Sequence, residues 1–342
     1  MAMIWIQFIG GALLIIAAGV TLTHNAETLA KKFGLGAGWA GLLILPVATS
    51  LPELVSSVRA ILINAPDLAA GNLFGSNLFN ILIIALVDLM QGKGALFYRL
   101  REGHAIAASL SIILITLVGL GVLLPFPTIL GGRVGLDAII LIGAYIASAK
   151  LLTAYEKRSL TQVNLEFRDQ KVEEESNEIL PGKTSYNKAL IYFGIAGIVI
   201  LFAGTYLTDA ADMIALQTGL GRTFVGSIFL AIATSLPEVV TTSTAARQGK
   251  LDMAVGNIFG ANMYNMFFFA MIDLIYLPGA LLNTISSDHL LTVMMVVILT
   301  AVAITGIVNR SKKAIGLFGL DSFMIICGYM AAVAVLFFLG HL

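Results

Sequence analysis

The chain has 342 residues, 58% of them hydrophobic and 12% charged, and a mean hydropathy of +0.94. No soluble globular core requires that much apolar sequence, so the composition describes a polytopic membrane protein. Twenty basic residues balance twenty acidic ones, which gives no charge excess to attract nucleic acid. The single cysteine, Cys327, cannot form an internal disulfide and is expected as a buried small hydrophobe.

The N-terminus, MAMIWIQFIG, lacks the basic region of a cleavable signal and runs directly into a span, so it reads as the first transmembrane helix. A stretch of about 20 apolar residues crosses roughly 30 Å of hydrocarbon. Such windows fall at 3–22, 36–62, 68–90, 104–124 and 129–151, and again at 188–208, 218–246, 251–276, 288–309 and 315–340. The expectation is an all-α membrane protein of ten transmembrane helices, with residues 1–152 and 188–342 as two five-helix halves joined by the polar segment 153–187. Lys and Arg total seventeen in the odd-numbered loops and three in the even-numbered ones. By the positive-inside rule the odd loops and the central segment are cytoplasmic, and both termini are extracellular or periplasmic. The acidic cluster Glu173, Glu174, Glu175 and Ser176 in the central segment reads as a solvated charge run, not a calcium sensor.

Displaced by 185 residues, the sequence matches itself. LPVATSLPE at 45–53 falls on LAIATSLPE at 230–238 with seven of nine residues identical, and GNLFGSNLFN at 71–80 falls on GNIFGANMYN at 256–265 with six of ten. The same offset pairs Ala18 and Gly19 with Ala203 and Gly204, Gly34 and Gly36 with Gly219 and Gly221, and Asp88 with Asp273. A repeat of five spans must re-enter the membrane from the opposite side, so the repeats are expected to be inverted.

Pro52 and Pro237 lack the N–H that would bond the carbonyls of Ala48 and Ala233, and a carbonyl freed inside a membrane must find protein, water or an ion. Each proline precedes a glutamate, Glu53 or Glu238. Thr49 stands one turn before Glu53, and Thr234 one turn before Glu238, so each hydroxyl is expected on the same face as its own carboxylate. An ionisable group at the bilayer centre costs about 2.5–3.5 kcal/mol on insertion scales. No lysine or arginine falls in a predicted mid-membrane stretch to offset it, so the counter-charge is expected to be an ion.

On the third helix Asn72, Ser76 and Asn80 form a polar stripe, matched on the eighth by Asn257, Ala261 and Asn265; Gly71, Gly75, Gly256 and Gly260 would let both helices approach the broken ones. The stripes and broken helices together offer only hard oxygens: the two carboxylates, the amides of Asn80 and Asn265, the hydroxyls of Thr49, Ser50, Ser76, Thr234 and Ser235, and freed carbonyls. That set suits calcium, which takes six to eight oxygens at about 2.3–2.6 Å, and not zinc or copper. Two glutamates neutralise one divalent cation, and without one they would take up protons or monovalent cations, which suggests an exchanger. His24, His104, His289 and His341 lie near predicted helix ends and are expected as interfacial residues. Asp88 and Asp273, about 12 Å beyond Asn80 and Asn265 along their helices, are expected at the two membrane surfaces, with ion entry as the lesser reading.

The pairing of ATSLPEL with GNLFGSNLFN, and of ATSLPEV with GNIFGANMYN, resembles the two alpha-repeats of the cation/calcium antiporter superfamily, most closely its prokaryotic sodium/calcium exchangers. The proton-coupled branch typically carries a G-N-A-x-E signature instead. The resemblance implies a multi-pass cell-membrane antiporter, neither an enzyme nor a cofactor protein, in which the first and sixth helices slide against the other eight. It implies that Glu53, Glu238, Thr49 and Thr234 bind calcium, that both glutamates share the sodium sites, and that Ser50, Ser76, Ser235 and Asn80 line those sites. Position 265 usually holds aspartate in this branch and position 261 serine, so Asn265 and Ala261 leave the coupling ion open between sodium and protons. The partners implied are inorganic cations and the lipid bilayer, with no obligate protein partner. A cation channel is the reading from another class, and inverted repeats favour alternating access over it.

Overall fold

The computed structural model describes residues 1–32, 45–91, 96–124, 126–129, 132, 134–166, 186–310, 314–315 and 318–339. The start of the expected second span, Gly34, Gly36, the acidic cluster at 173–176 and His341 lie outside them.

The first half runs α1 (Ala2–Lys32), α2 (Leu45–Thr49), α3 (Leu51–Leu62), α4 (Pro66–Gln91), α5 (Gly103–Leu123) and α6 (Leu136–Glu166). The second runs α7 (Tyr186–Thr218), α8 (Gly221–Val225), a π-helical turn at Gly226–Leu230, α9 (Ala231–Thr234), α10 (Leu236–Arg247), α11 (Leu251–Ile275), α12 (His289–Asn309) and α13 (Leu320–Leu339). Among the described residues, eight helices are long and apolar enough to cross a membrane. The segment α8 to α10, bent by 45°, counts as a ninth. Its counterpart in the first half is described from Leu45 onward, as α2 and α3. Two short antiparallel hairpins complete the elements, pairing Thr128 with Gly135 and Ala314 with Gly319.

Both broken helices break alike. Ser50 (φ −87°, ψ 8°) and Ser235 (φ −86°, ψ 8°) leave the helical region, and the chain resumes a helix at Leu51 and Leu236 with proline in its first turn, where a missing N–H is harmless. The central helices α4 and α11 are buried for most of their length, whereas α1, α7 and α13 expose residues such as Leu13, Phe202 and Phe338. In a bilayer both faces of a helix can be apolar, so close packing rests on small residues. A Cβ on Gly75 would fall inside contact distance of the Ser227 backbone, and Gly71 abuts Gly226 and Ser227. Gly19 of α1 makes the same kind of approach to Pro237.

Three sequence expectations change. Asp88 and Asp273 are buried. Asp88 accepts hydrogen bonds from the Leu96 and Gly319 N–H groups and the Ser322 hydroxyl, and Asp273 from the Leu281 and Gly135 N–H groups. Each aspartate thus ties the turn after its own helix to a hairpin of the other half, which satisfies a carboxylate away from water. Two histidines are also buried and cross between halves: His104 Nε2 is 2.9 Å from Asp252, and His289 Nε2 is 3.3 Å from Asp67. The 185-residue offset converts one pair into the other. Cys327 is exposed on α13, because an apolar run in a membrane protein can face lipid as readily as core.

Candidate cation site

Glu53 and Glu238 sit in the first turns of α3 and α10, where unpaired N–H groups and the positive end of the helix dipole favour a carboxylate. Both are fully enclosed, at 1% and 0% exposure, and close enough for their charges to repel. Ser235 donates to Glu53 Oε1 at 2.8 Å, and Ser50 donates to Glu238 Oε1 at 3.2 Å. The serine at each break therefore serves the glutamate of the opposite half.

The threonines cross over in the same way, which corrects the expectation that each shares a face with its own glutamate. Thr49 lies beside Glu238 and Thr234 beside Glu53. Their hydroxyls are within donating distance of Asn257 Oδ1 at 3.4 Å and Asn72 Oδ1 at 3.0 Å, as well as of main-chain carbonyls in their own turns. The break at Ser50 interrupts the turn that would have aligned Thr49 with Glu53. Asn72 in turn donates to the Glu53 carbonyl and to Ser57, so it braces α3 from behind, and Asn257 braces α10 through Thr242. Ser76 adjoins Glu53 and donates to the Ala231 carbonyl at 3.5 Å; its counterpart Ala261 is buried and offers no hydroxyl.

One turn beyond Ser76, α4 meets α11 through four asparagines. Asn80 Nδ2 donates to Asn262 Oδ1 at 2.9 Å, and Asn265 Nδ2 donates to Asn77 Oδ1 at 2.9 Å. Asn77 and Asn262 each donate to the other's backbone carbonyl at 3.3 Å. Sequence reasoning missed Asn77 and Asn262, although the offset pairs them inside the quoted motifs, because they lie off the polar stripe. On a helix buried all round, the stripe is not the only face that carries polar contacts.

Four buried oxygens of this region receive no hydrogen bond among the described residues: Glu53 Oε2, Glu238 Oε2, Asn80 Oδ1 and Asn265 Oδ1. They come in two pairs related by the repeat, and both prolines, both threonines and all three serines of the expected site are buried with them. An acceptor left without a donor costs about 1–3 kcal/mol, and more when charged. Among the described residues no ion pair includes Glu53 or Glu238. No group of three or more His, Cys, Asp and Glu forms there either. A hard cation is the partner such a set fits, with two carboxylates to neutralise it.

A buried carboxylate pair among membrane-crossing helices, ringed by hydroxyl and amide oxygens, is chemistry suited to an inorganic cation. The family model described as sodium/calcium exchanger protein matches residues 3–154 and again 188–338, and the chain belongs to that family. It is 30% identical over 271 residues to the inner membrane protein YrbG of Escherichia coli, covering 79% of this chain and 78% of that one. It is 24% identical over 300 residues to the sodium/calcium exchanger MaX1 of Methanosarcina acetivorans, covering 78% and 81%. Its fold matches that of the sodium-calcium exchanger NCX_Mj with a TM-score of 0.61, at 19% identity, over 98% of this chain and 99% of that one. The protein is thus a multi-pass membrane antiporter of the cation/calcium exchange class, not an enzyme.

Proposed function

We propose that the protein exchanges calcium for a monovalent cation, sodium first, by alternating access to a midplane site built on Glu53 and Glu238. The observation that carries this reading is the set of four donorless buried oxygens, two carboxylate and two amide. In the proposed site Glu53 and Glu238 hold calcium, with oxygen from Thr49, Thr234, Asn80 and Asn265. Ser50, Ser235 and Ser76, with the same asparagines, line the places taken by the second cation, and Pro52 and Pro237 keep the carbonyls before them free.

The proposed architecture is ten spans in two inverted repeats, residues 1–152 and 188–342, with the central segment cytoplasmic and both termini outside. The exchange of hydrogen-bond partners between halves supports it: Ser50 with Glu238 answers Ser235 with Glu53. The proposed moving pair is α1 and α7, which lie against each other from Gln7 beside Tyr206 to Leu22 beside Gly197. Their small-residue contacts suit sliding better than a knobbed interface would.

With Asn265 neutral, the site holds two negative charges. Two monovalent ions then balance one calcium, and two-for-one exchange moves no net charge. Three-for-one exchange would move one charge, worth about 2.3 kcal/mol per 100 mV. Vesicles loaded with calcium test the proposal. Efflux is expected to require an external counter-cation and to leave the membrane potential unchanged, and sodium and proton gradients imposed separately identify the driving ion. Calcium flux with no counter-transported cation would overturn the antiporter reading in favour of a channel.

A further inference from the structure

The inner ring of four asparagines has a built-in direction. An asparagine side chain can present either its oxygen or its NH2 group to a neighbour, and only its hydrogen-bond partners decide which. Here the decision is anchored on main chain. The Asn262 carbonyl can only accept, so Asn77 must turn its NH2 group toward it, at 3.3 Å. That leaves Asn77 Oδ1 as an acceptor, which forces Asn265 to turn its own NH2 group inward to the ring, at 2.9 Å, and so to leave Oδ1 without a protein donor. The mirror sequence runs from the Asn77 carbonyl through Asn262 to Asn80, at 3.3 and 2.9 Å. All four side chains are buried at 0–1% exposure, out of reach of bulk water.

From this arrangement we infer that Asn77 and Asn262 are positioning residues that set the polarity of the transport site. Asn77 fixes Asn265, and Asn262 fixes Asn80, with the amide oxygen toward the cation and the NH2 group away from it. The inference rests on the cation-site reading above. The side-chain oxygen of each positioning residue already accepts from an NH2 group, so it is not one of the buried oxygens left open to the cation. Freed from Asn77, the Asn265 amide could rotate by half a turn and present donors to a cation, which would repel it. The ring also imposes a requirement at position 265. Whatever residue stands there must donate to Asn77 Oδ1, which asparagine and a protonated carboxyl can do and an ionised carboxylate cannot.

The test is a pair of double-mutant cycles read by calcium binding to the purified full-length protein in detergent, using radioactive calcium. Loss of an outer positioning residue around a metal site typically weakens affinity about 10- to 100-fold. Asn77→Ala is expected to weaken calcium binding by that amount, and to add nothing once Asn265→Ala is present, because the group it orients is gone. Combined with Asn80→Ala it should act in full. Asn262→Ala should show the crossed pattern, silent with Asn80→Ala and additive with Asn265→Ala. Asn77→Leu, which retains volume, repeats the cycle if the alanine variant fails to fold, and the second cycle stands independently of the first.

A purely structural role predicts that Asn77→Ala weakens binding equally in both backgrounds, and that result would overturn the inference, as would unchanged affinity in Asn77→Ala. If the unaltered protein binds no calcium, the calcium reading fails while the inference is still testable. The same cycles then repeat with sodium, where the crossed pattern supports the inference and uniform additivity again overturns it.

Discussion

Around the helix breaks the two halves of the molecule agree almost bond for bond, while where α3 meets α7 and α10 meets α1 they part. Ser50 and Ser235, Thr49 and Thr234, and Asn77 and Asn262 make interchangeable hydrogen bonds. At the end where α3 and α7 finish, Arg59 grips Asp209 with two bonds of 2.8 and 3.0 Å, Arg222 grips Asp212 at 2.6 and 3.2 Å, and Thr208 donates to the Ser56 carbonyl. The offset places Thr244 where the opposite end would need Arg59, His24 where it would need Asp209, and Thr23 where it would need Thr208. There the interface of α1 with α10 leaves a crevice of about 140 Å³ lined by residues including Thr23, His24, Thr241, Thr244 and Gln248, and the buried Thr23 hydroxyl has no partner among the described residues. Under the proposed alternating access, a symmetric centre treats ions alike from either side, and asymmetric ends set which side closes more firmly, so that the two tasks fall on different residues.

The largest expected effect breaks the centre. Glu53→Gln and Glu238→Gln should each abolish calcium-dependent exchange in vesicles, by at least about 100-fold, because each removes half of the charge that neutralises a divalent ion in a site without another acid. Equal losses fit a two-fold site. Survival of activity in either variant would show that the carboxylates are not equivalent.

Next comes the packing that holds the centre together. Gly75→Val places side-chain atoms on the Ser227 backbone, which cannot move as a flexible side chain can. Overpacking of this kind costs about 1–3 kcal/mol or more, and the measurement is folded yield and thermal unfolding in detergent. Gly10→Ala, which meets nothing within 4 Å, is the control and should leave both unchanged.

A smaller effect sharpens the one place where the centre itself is uneven. Ser76 adjoins Glu53, while Ala261 leaves Glu238 without the matching hydroxyl. Ala261→Ser should strengthen monovalent-cation competition against calcium several-fold, on the order of the 1 kcal/mol of one hydrogen-bonding group. Ser76→Ala should weaken it by a similar factor. Competition assays with sodium and with protons would separate the two candidate coupling ions on the same variants.

The division between centre and ends also explains what the sequence disclosed. Helix breaks, glutamates and the repeat were legible because Pro52, Glu53 and their copies violate the chemistry of a membrane span, and a violation stands out in one dimension. The crossing of Thr49 to Glu238 was hidden, since a turn at Ser50 re-aims residues that helical spacing would align. The pairs His104–Asp252 and His289–Asp67 join a buried histidine to an aspartate 148 and 222 positions away, which no local pattern reports. Cys327 and the outer faces of α7 and α13 were illegible for another reason. Hydropathy separates lipid from water, and it does not separate lipid from protein core.

The smallest expected effect tests the ends directly. Arg59 and Asp209 are each about one-third exposed, at 34% and 36%, so screening limits their bond. A pair of this kind contributes about 0.2–1 kcal/mol, which at its upper end is a factor of roughly five in the ratio of two conformations. Arg59→Gln should therefore leave calcium affinity at the centre unchanged and loosen only the α3–α7 end. A cysteine placed at Ser56, buried beneath α7, reports that opening by its reaction with a membrane-impermeant maleimide. The exposed Cys327 is first replaced by serine. The labelling rate should rise up to about fivefold with Arg59→Gln. Installing the missing pair at the other end, as His24→Asp with Thr244→Arg, should lower labelling of a cysteine at Thr23 and raise it at Ser56, because a bond that favours closure of one end favours opening of the other when both belong to one two-state element. If the two ends respond independently, α1 and α7 do not move as one body, and the ion pairs at Asp209 and Asp212 stabilise the fold without biasing access.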